Sequence, residues 1–580
     1  MKTNRAAPLL LALLLLSSCG AISQSDQSDQ NSSSDDGLTS VSSPASESED
    51  TQSSQASGSS GTAAEPQGKI IALDAHDEKI ALTYEGELTG AEIIGEGQRF
   101  NVPSSCFKEG NLFYPGLPEG TYRLILDFGG AKLEKGDIRV EGIDRSGYAH
   151  FQYSEGVGAY SDRGLLKEGA VVVYVSDATK NSVSAKIGNN TYKGLVDILK
   201  HKNDKDVPVS IRFLDTIKTN QFIAKNVASG SNPFASGLAY FSNRKDNAYS
   251  ELTGLTNIIW APQGAEKTAE YDVRTVTDAK KTDSYFNMAD IANVSQMTIE
   301  GIGQGAGLLN WGFTFKSCRS IEVRSLTFSD YAEDACSFEG GSGEYSNDGK
   351  SVKTPLDNAS GRFFLHHCTF NRGKNAWDLS YEQDKHDGDG SADLKKFANA
   401  TFAYNRFFRC HKTTLLGGSD AQMTKNITFH HNFYKNVQSR LPLGRQANLH
   451  LYNNYYKSCT TCVDMRANSY TLSEANYFES CSYPHKVTAK SPFPGAAIKS
   501  FGDFFLSCKN ASQAQIVASR TATVKNSCKP DGVTDCSSFD TEASLFYFDA
   551  KKKQSAVRLL QTPSEAKDTS LAHAGAFAMK

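Results

Sequence analysis

NATFAYNRF at residues 399–407, NITFHHNFY at 426–434 and NLHLYNNYY at 448–456 share one frame, and a fourth copy ends in Asn476, Tyr477 and Phe478. Laid over one another, they align Asn405, Asn432, Asn454 and Asn476, with an aromatic two residues on (Phe407, Tyr434, Tyr456, Phe478). Five residues after each Asn come Cys410, Val437, Cys459 and Cys481. The Asn spacings are 27, 22 and 22 residues. A strand-like unit of about 22 residues with no helical period describes a solenoid whose turns stack on one another. The form that fits is a parallel β-helix. Stacking in register sets identical side chains about 4.8 Å apart, so the Asn column can hydrogen-bond as a ladder and the rings can stack. The expected fold is therefore all-β, a right-handed parallel β-helix. Longer units should place their surplus residues in loops on one face, commonly the binding face. The largest excursions run from Gly340 to Gly361 and from Gly373 to Ser391.

Outward from the repeat, residues 147–580 read as the β-helix domain with a C-terminal extension, in which helices are expected at Tyr192 to Lys202 and near Ser564. Residues 68–146 carry short strands at Lys69–Leu73, Ile80–Tyr84, Tyr122–Leu126 and Asp137–Val140, separated by Gly, Pro and Asp turns. That pattern predicts a small β-sandwich, read as a spacer or accessory domain, with a carbohydrate-binding module as the alternative. Residues 20–67 are rich in Ser, Asp, Gln and Gly, which cannot bury enough apolar surface to offset ordering, so a disordered spacer is expected. Residues 1–19 begin with Lys2 and Arg5, continue as an apolar run to Leu16 and end in Leu16-Ser17-Ser18-Cys19. The run falls short of the roughly 20 residues that span a bilayer and fits an export signal. The ending looks like the lipobox of bacterial lipoproteins, which would lipidate Cys19. The chain is then expected outside the cytoplasm, anchored to the cell membrane or outer-membrane surface, or secreted, with membrane contact only through the lipid.

Charge excludes one class of partner. Setting aside Lys2, Arg5 and the eight acids of the linker leaves 59 basic and 57 acidic residues from Lys69 onward. No basic field exists to hold nucleic acid, although a local groove can still take a polyanion. Of the 12 cysteines, those in the repeat column are expected to face inward as small hydrophobes. Cys459 and Cys462 form a lone C-x-x-C without a second pair, a weak metal signal. Cys508, Cys528 and Cys536 leave room for one bridge that the sequence does not assign.

Several segments together resemble the pectate lyases of polysaccharide lyase family 1, over roughly residues 150–490. They are Gly156 to Val183, Asp334-Ala335-Cys336-Ser337-Phe338, His366-His367-Cys368, Asp389 to Asp393, Lys412, and Asn426 to Asn432 with its His430-His431-Asn432. Above all there is R-x-P-x-x-R at Arg440 to Arg445, followed by His450 to Tyr455. The resemblance implies a calcium-dependent pectate lyase that cleaves α-1,4-linked polygalacturonate, the de-esterified part of pectin, by β-elimination to 4,5-unsaturated oligogalacturonides. It implies Ca2+ held by Asp334, Asp389 and Asp393, substrate carboxylates bound by Lys412 and Arg445, and proton abstraction by Arg440. The chain is expected to act as a monomer.

The chemistry explains the residue types. The C5 proton of a galacturonate is a poor acid unless its carboxylate is neutralised, which a hard cation on oxygen ligands can do with help from cationic side chains. A base must reach C5. Each residue alone has a plainer reading. Asp387 to Gly390 is an ordinary turn sequence, Lys412 a surface lysine, and His430, His431, Asn432, His450 and Asn454 ladder or core groups. Trp377 and Tyr381 can stack on sugar or pin their loop. Two departures from the family pattern, His366 and Ala332 where acids are usual, bear on the number of calcium ions. The rivals are a pectin lyase acting on methyl-esterified chains and a non-catalytic polysaccharide-binding β-helix lipoprotein.

Overall fold

The computed structural model describes residues 68–218, 288–371, 390–519, 546–549, 554–557 and 560–576, except 304, 310, 332, 333, 349, 350, 357–360, 489, 491 and 494. Cys19, the 20–67 linker, Trp377, Tyr381, Asp389, Cys528 and Cys536 lie outside the described residues.

Three parallel sheets of eleven, nine and eight strands wind into a right-handed β-helix. One coil shows the pattern. Thr424–His430 lies in the eleven-stranded sheet, Phe433–Lys435 in the nine-stranded and Leu443–Arg445 in the eight-stranded. The next coil repeats it with Ala447–Tyr452, Tyr455–Lys457 and Thr461–Arg466. Register carries across the coils, pairing Thr428 with His450 and Tyr434 with Tyr456, with one shift between Thr424 and Ile427. The interior is one continuous apolar core, as a solenoid of units that cannot each bury a face alone requires.

The bend from the eleven-stranded to the nine-stranded sheet is made by a single left-handed residue. Ser325, His367, Tyr404, His431, Asn453 and Ala475 hold φ between 49° and 54° there, and Gly502 holds 69°. Such backbone costs a side-chain-bearing residue roughly 1–2 kcal/mol, and an Asn after the bends at Tyr404, His431, Asn453 and Ala475 offsets it. Asn405 donates its backbone N–H and Nδ2 to Asn432 Oδ1, both at 3.0 Å. Asn432 does the same to Asn454, at 3.0 and 2.9 Å, and Asn454 to Asn476, at 2.9 and 3.0 Å. The ladder runs one rung further than the Asn pattern reveals: Asn476 donates to Asp503 Oδ1 at 2.9 and 3.0 Å. Beside it Phe328, Phe370, Phe407, Tyr434, Tyr456, Phe478 and Phe505 stack with centroids 4.6–5.3 Å apart and planes within 12°. Each such pair adds about 0.5–1.5 kcal/mol beyond its buried area. Cys410, Cys459, Cys481 and Cys508 form the third column, each Sγ 3.5–3.6 Å from a carbonyl of the preceding coil. These thiols are free.

Residues 69–140 form two four-stranded antiparallel sheets around a shared core. The sandwich docks on the β-helix through buried charge. Glu78 takes two hydrogen bonds from Arg145, at 2.5 and 2.9 Å, and lies 3.4 Å from Arg324, which bonds Glu300 in turn. Burial would raise the Glu300 carboxyl, but Arg324 and Arg212 beside it bring it down to about 2. A short helix covers Leu195–Lys200, and a longer one Pro563–His573, begun by a Thr562–Glu565 capping box. Reciprocal capping satisfies two amides that the first helical turn otherwise leaves open. Ala574, just past this helix, packs with Phe433, Tyr455 and Tyr477 on the outside of the nine-stranded sheet.

Candidate active site

The corner that leads into the eight-stranded sheet gathers the charged residues. Backbone hydrogen bonds chain its turns together: Ala335 N–H to Gly390 O (3.0 Å), Ser391 N–H to Thr413 O (2.8 Å), and Thr413 N–H to Ser439 O (3.1 Å). Asp334, Gly390, Lys412 and Ser439-Arg440 therefore occupy neighbouring rungs of one corner, although up to 106 residues separate them in sequence.

Two of the three expected acids converge there. Asp334 Oδ1 accepts from Gly390 N–H at 2.9 Å, and Asp393 Oδ1 accepts from Leu415 N–H at 2.8 Å. A Cβ placed on Gly390 would come within 2.5 Å of Asp393 Oδ1 and 2.7 Å of Asp334 Oδ1, so the absence of a side chain there is what lets both carboxylates face one small space. Asp389 lies outside the described residues. An all-oxygen donor set around a space that only glycine leaves open suits a hard cation such as Ca2+.

The cations stand one to three coils along. Lys412 is buried rather than on the surface, and its backbone bridges to Ser439. Arg440 is half-buried, with φ at 66°. Its carbonyl accepts from Thr414 N–H at 2.8 Å and from the Thr413 hydroxyl, which fixes the backbone from which its side chain projects. Among the described residues its guanidinium has no hydrogen-bond or ion-pair partner. Arg445 Nη1 donates to Gly417 O at 2.9 Å, and its Nε lies 3.1 Å from Asp420 Oδ1. Burial lowers the proton affinity of Arg445; Asp420 opposes this while Arg466 and Arg440 reinforce it. The group is thus within electrostatic reach of both Arg440 and Asp393.

Sequence reasoning missed Lys395 and Arg466. Lys395 Nζ sits 3.5 Å from Asp334 Oδ2 and 3.3 Å from Glu339 Oε1. Burial works against its charge, but Asp334, Asp393 and Glu339 more than offset this and push its pKa up. Its signal was present: two residues after Asp393 on a strand puts it on the same face. Arg466 is the register partner of Arg445 and donates to Asp464 Oδ2 at 2.7 Å. The histidines are elsewhere. His430 stacks on Tyr452 and His431 on Tyr404, with planes 4° and 5° apart. His450 bonds buried Glu474 at 2.6 Å, and His366 bonds Glu322 at 3.1 Å.

A protein-family model described as pectate lyase matches residues 226–532. A pectate lyase of Bacillus subtilis (strain 168) is 31% identical over 176 residues, 28% of this chain and 40% of the relative. A pectate trisaccharide-lyase of Thermotoga maritima is 29% identical over 171 residues, again 28% and 40%. The chain thus spans about 40% of the length of the curated relatives it matches. Among solved structures, a pectate lyase from Bacillus sp. N165 in complex with trigalacturonate aligns over 75% of this chain and 99% of its own, at 16% identity and a TM-score of 0.41. Matched by that family model over more than half of its 580 residues, the chain belongs to the pectate lyase family.

Proposed function

We propose that this protein is a calcium-dependent pectate lyase that cleaves de-esterified polygalacturonate by β-elimination. The observation that carries the reading is the placement of Asp334, Asp393, Lys412 and Arg440 on hydrogen-bonded neighbouring coils of one corner, with Arg445 on the strand that follows Arg440. Asp334 and Asp393, with Asp389, would hold Ca2+, which when bound supplies Lewis-acid neutralisation of a galacturonate carboxylate. Lys412 and Arg445 bind substrate carboxylates, and the planar fork of Arg445 suits two oxygens at once. Arg440 takes the C5 proton, and the electrons left behind expel the C4 oxygen to form the 4,5 double bond. A general base must be free to accept a proton, so turnover should climb as pH rises past neutral. The lipobox-like residues before Cys19 support a lipid-anchored, exported form.

The test is an ultraviolet assay for the conjugated product on polygalacturonate and on methyl-esterified pectin, each with calcium and with chelator. Absorbance on polygalacturonate that chelator abolishes is expected. Chelator-resistant absorbance on the ester would replace the reading with a pectin lyase. Binding with no absorbance on either polymer would leave a carbohydrate-binding β-helix.

A further inference from the structure

Away from the charged corner, three segments distant in sequence bring imidazoles to a single carboxylate oxygen. Asp77 Oδ2 lies 3.0 Å from His573 Nδ1, 3.2 Å from His76 Nε2 and 3.5 Å from His367 Nε2. His76 and Asp77 are in the turn after the first strand of the sandwich, His367 makes a bend of the β-helix, and His573 ends the C-terminal helix. A cavity of about 10 Å³, lined by Asp77, Lys79, His366 and His367, opens beside them, room for about one water-sized sphere.

Hydrogen bonding at this nest is incomplete. Asp74 is a carboxylate and can only accept, so His76 turns Nδ1 to Asp74 Oδ1, 2.5 Å away, and presents Nε2 to Asp77 at 3.2 Å. His366 turns Nε2 to Glu322 Oε1 at 3.1 Å and meets His367 Nδ1 through its own Nδ1 at 2.8 Å, so His367 also presents Nε2 to Asp77. Both Nε2 atoms are buried and neither makes a hydrogen bond. Two unbonded ring nitrogens thus face one carboxylate oxygen in a desolvated space. Lys79 Nζ, 3.8 Å from the same oxygen, offsets one charge without bonding either nitrogen.

We propose that His76, Asp77 and His573 form a structural zinc site that fastens the sandwich to the C-terminal helix, against His367 of the β-helix. Their donor atoms all lie within 4.8 Å of one another. Tetrahedral Zn2+ with bonds of about 2.0–2.1 Å needs donor atoms about 3.4 Å apart, and Asp77 Oδ2 lies 3.0 Å from His573 Nδ1 and 3.2 Å from His76 Nε2. Asp74 plays the part of an outer partner that fixes which ring nitrogen of His76 faces a metal. Calcium, which takes oxygen ligands, is the wrong ion here, so this site and the charged corner sort two metals by donor type.

The full chain, stripped with chelator, should bind one equivalent of Zn2+ with a rise of several degrees in Tm that Ca2+ does not reproduce. Co2+ alone should give the intense visible bands of a tetrahedral centre. His573→Gln should weaken Zn2+ binding at least about a hundredfold, and Asp74→Asn about tenfold to a hundredfold, while Asp393→Asn leaves Zn2+ binding unchanged. A Tm unmoved by Zn2+, a Co2+ spectrum of octahedral type, or a Zn2+ effect that survives in His573→Gln would each overturn the site. The Co2+ spectrum of the wild type decides the matter even if a variant does not fold.

Discussion

Two corners of the same β-helix obey opposite rules. At the ladder corner, residues 405, 432, 454, 476 and 503 repeat one side-chain type or its near-isostere, and each rung satisfies the one before it. At the charged corner, the stacked positions hold Asp334, Gly390, Lys412 and Ser439-Arg440, all different. Repetition brings stability because a solenoid's energy is a sum of neighbouring contacts. Departure from repetition puts unlike charges a few ångströms apart, which a uniform ladder cannot do. The expected consequence is a separation of effects: changes at one corner alter turnover and spare folding, and changes at the other do the reverse.

Arg440→Lys tests the separation hardest. Lysine keeps the charge but loses the fork and reach of guanidinium, and removing a positioned general base costs about a hundredfold to ten-thousandfold. With no described partner lost from the Arg440 side chain, Tm should stay within about a degree. Steady-state kinetics beside a melting curve would decide it, and a variant that keeps most of its turnover would move the base to another residue. On the ladder, Asn432→Ala is the counterpart. It leaves Asn405 N–H without its acceptor and removes the Nδ2 that donates to Phe402 O, while Asn405 Nδ2 keeps Leu365 O and His430 O keeps the Tyr404 N–H. At about 1–3 kcal/mol for each buried group left unsatisfied, the loss should reach about 2–4 kcal/mol. Denaturant unfolding should show that loss with the turnover of the folded fraction intact. A drop in turnover matching the drop in stability would mean the two corners are coupled.

Asp393→Asn gives a smaller effect and sharpens the comparison from the metal side. The amide oxygen of Asn can still accept the Leu415 N–H bond, so the fold should hold. The lost charge should raise the calcium concentration needed for half-maximal activity about tenfold or more. A calcium titration unchanged from the wild type would remove Asp393 from the proposed site.

The same contrast explains what could be read before the structure. The ladder was legible because it repeats: four Asn, four rings and three cysteines in register specify a parallel β-helix without any knowledge of packing. Its fifth rung escaped notice because Asp503 breaks the Asn pattern by one atom. The first two rings, Phe328 and Phe370, escaped because Leu326 and Cys368 precede them where Asn would be expected. The charged corner does not repeat, so periodicity was silent there and family resemblance alone supplied Asp334, Asp393, Lys412, Arg440 and Arg445. Lys395 was readable from strand alternation beside Asp393. Arg466 was not, because its pairing with Arg445 depends on the length of the intervening turn. The imidazole nest was beyond sequence reading altogether, since 496 residues separate Asp77 from His573.

The smallest expected effect comes from the ladder's odd rung. Burial raises the Asp503 carboxyl to about 6 from an ordinary 3.8. Between about pH 4 and 6 the folded chain therefore holds a proton that the unfolded chain has shed, and this group makes stability fall as pH rises through that window. Above about 6 both states are ionised and the penalty is constant, at most about 3 kcal/mol for a shift of about two units. His485, whose Nε2 lies 3.7 Å from Asp503 Oδ2, acts in the opposite sense. Burial lowers it to about 3, so between about pH 3 and 6.5 the unfolded chain binds the extra proton and stability rises with pH. The two slopes oppose each other in the wild type, and Asp503→Asn should expose the rising one. Asn keeps the Oδ1 that accepts from Asn476 and can donate Nδ2 to the Ser500 hydroxyl that Asp503 Oδ2 now accepts from. It turns the last rung into the residue the ladder uses everywhere else, without a charge to bury. At pH 7.5 the variant should be more stable by about 1–2 kcal/mol, with unchanged turnover and a stability that climbs from pH 4 to 6 more steeply than the wild type's. A variant less stable than the wild type at pH 7.5 would mean that the negative charge at this rung is itself stabilising, held by donors of the Asn column rather than merely tolerated by them.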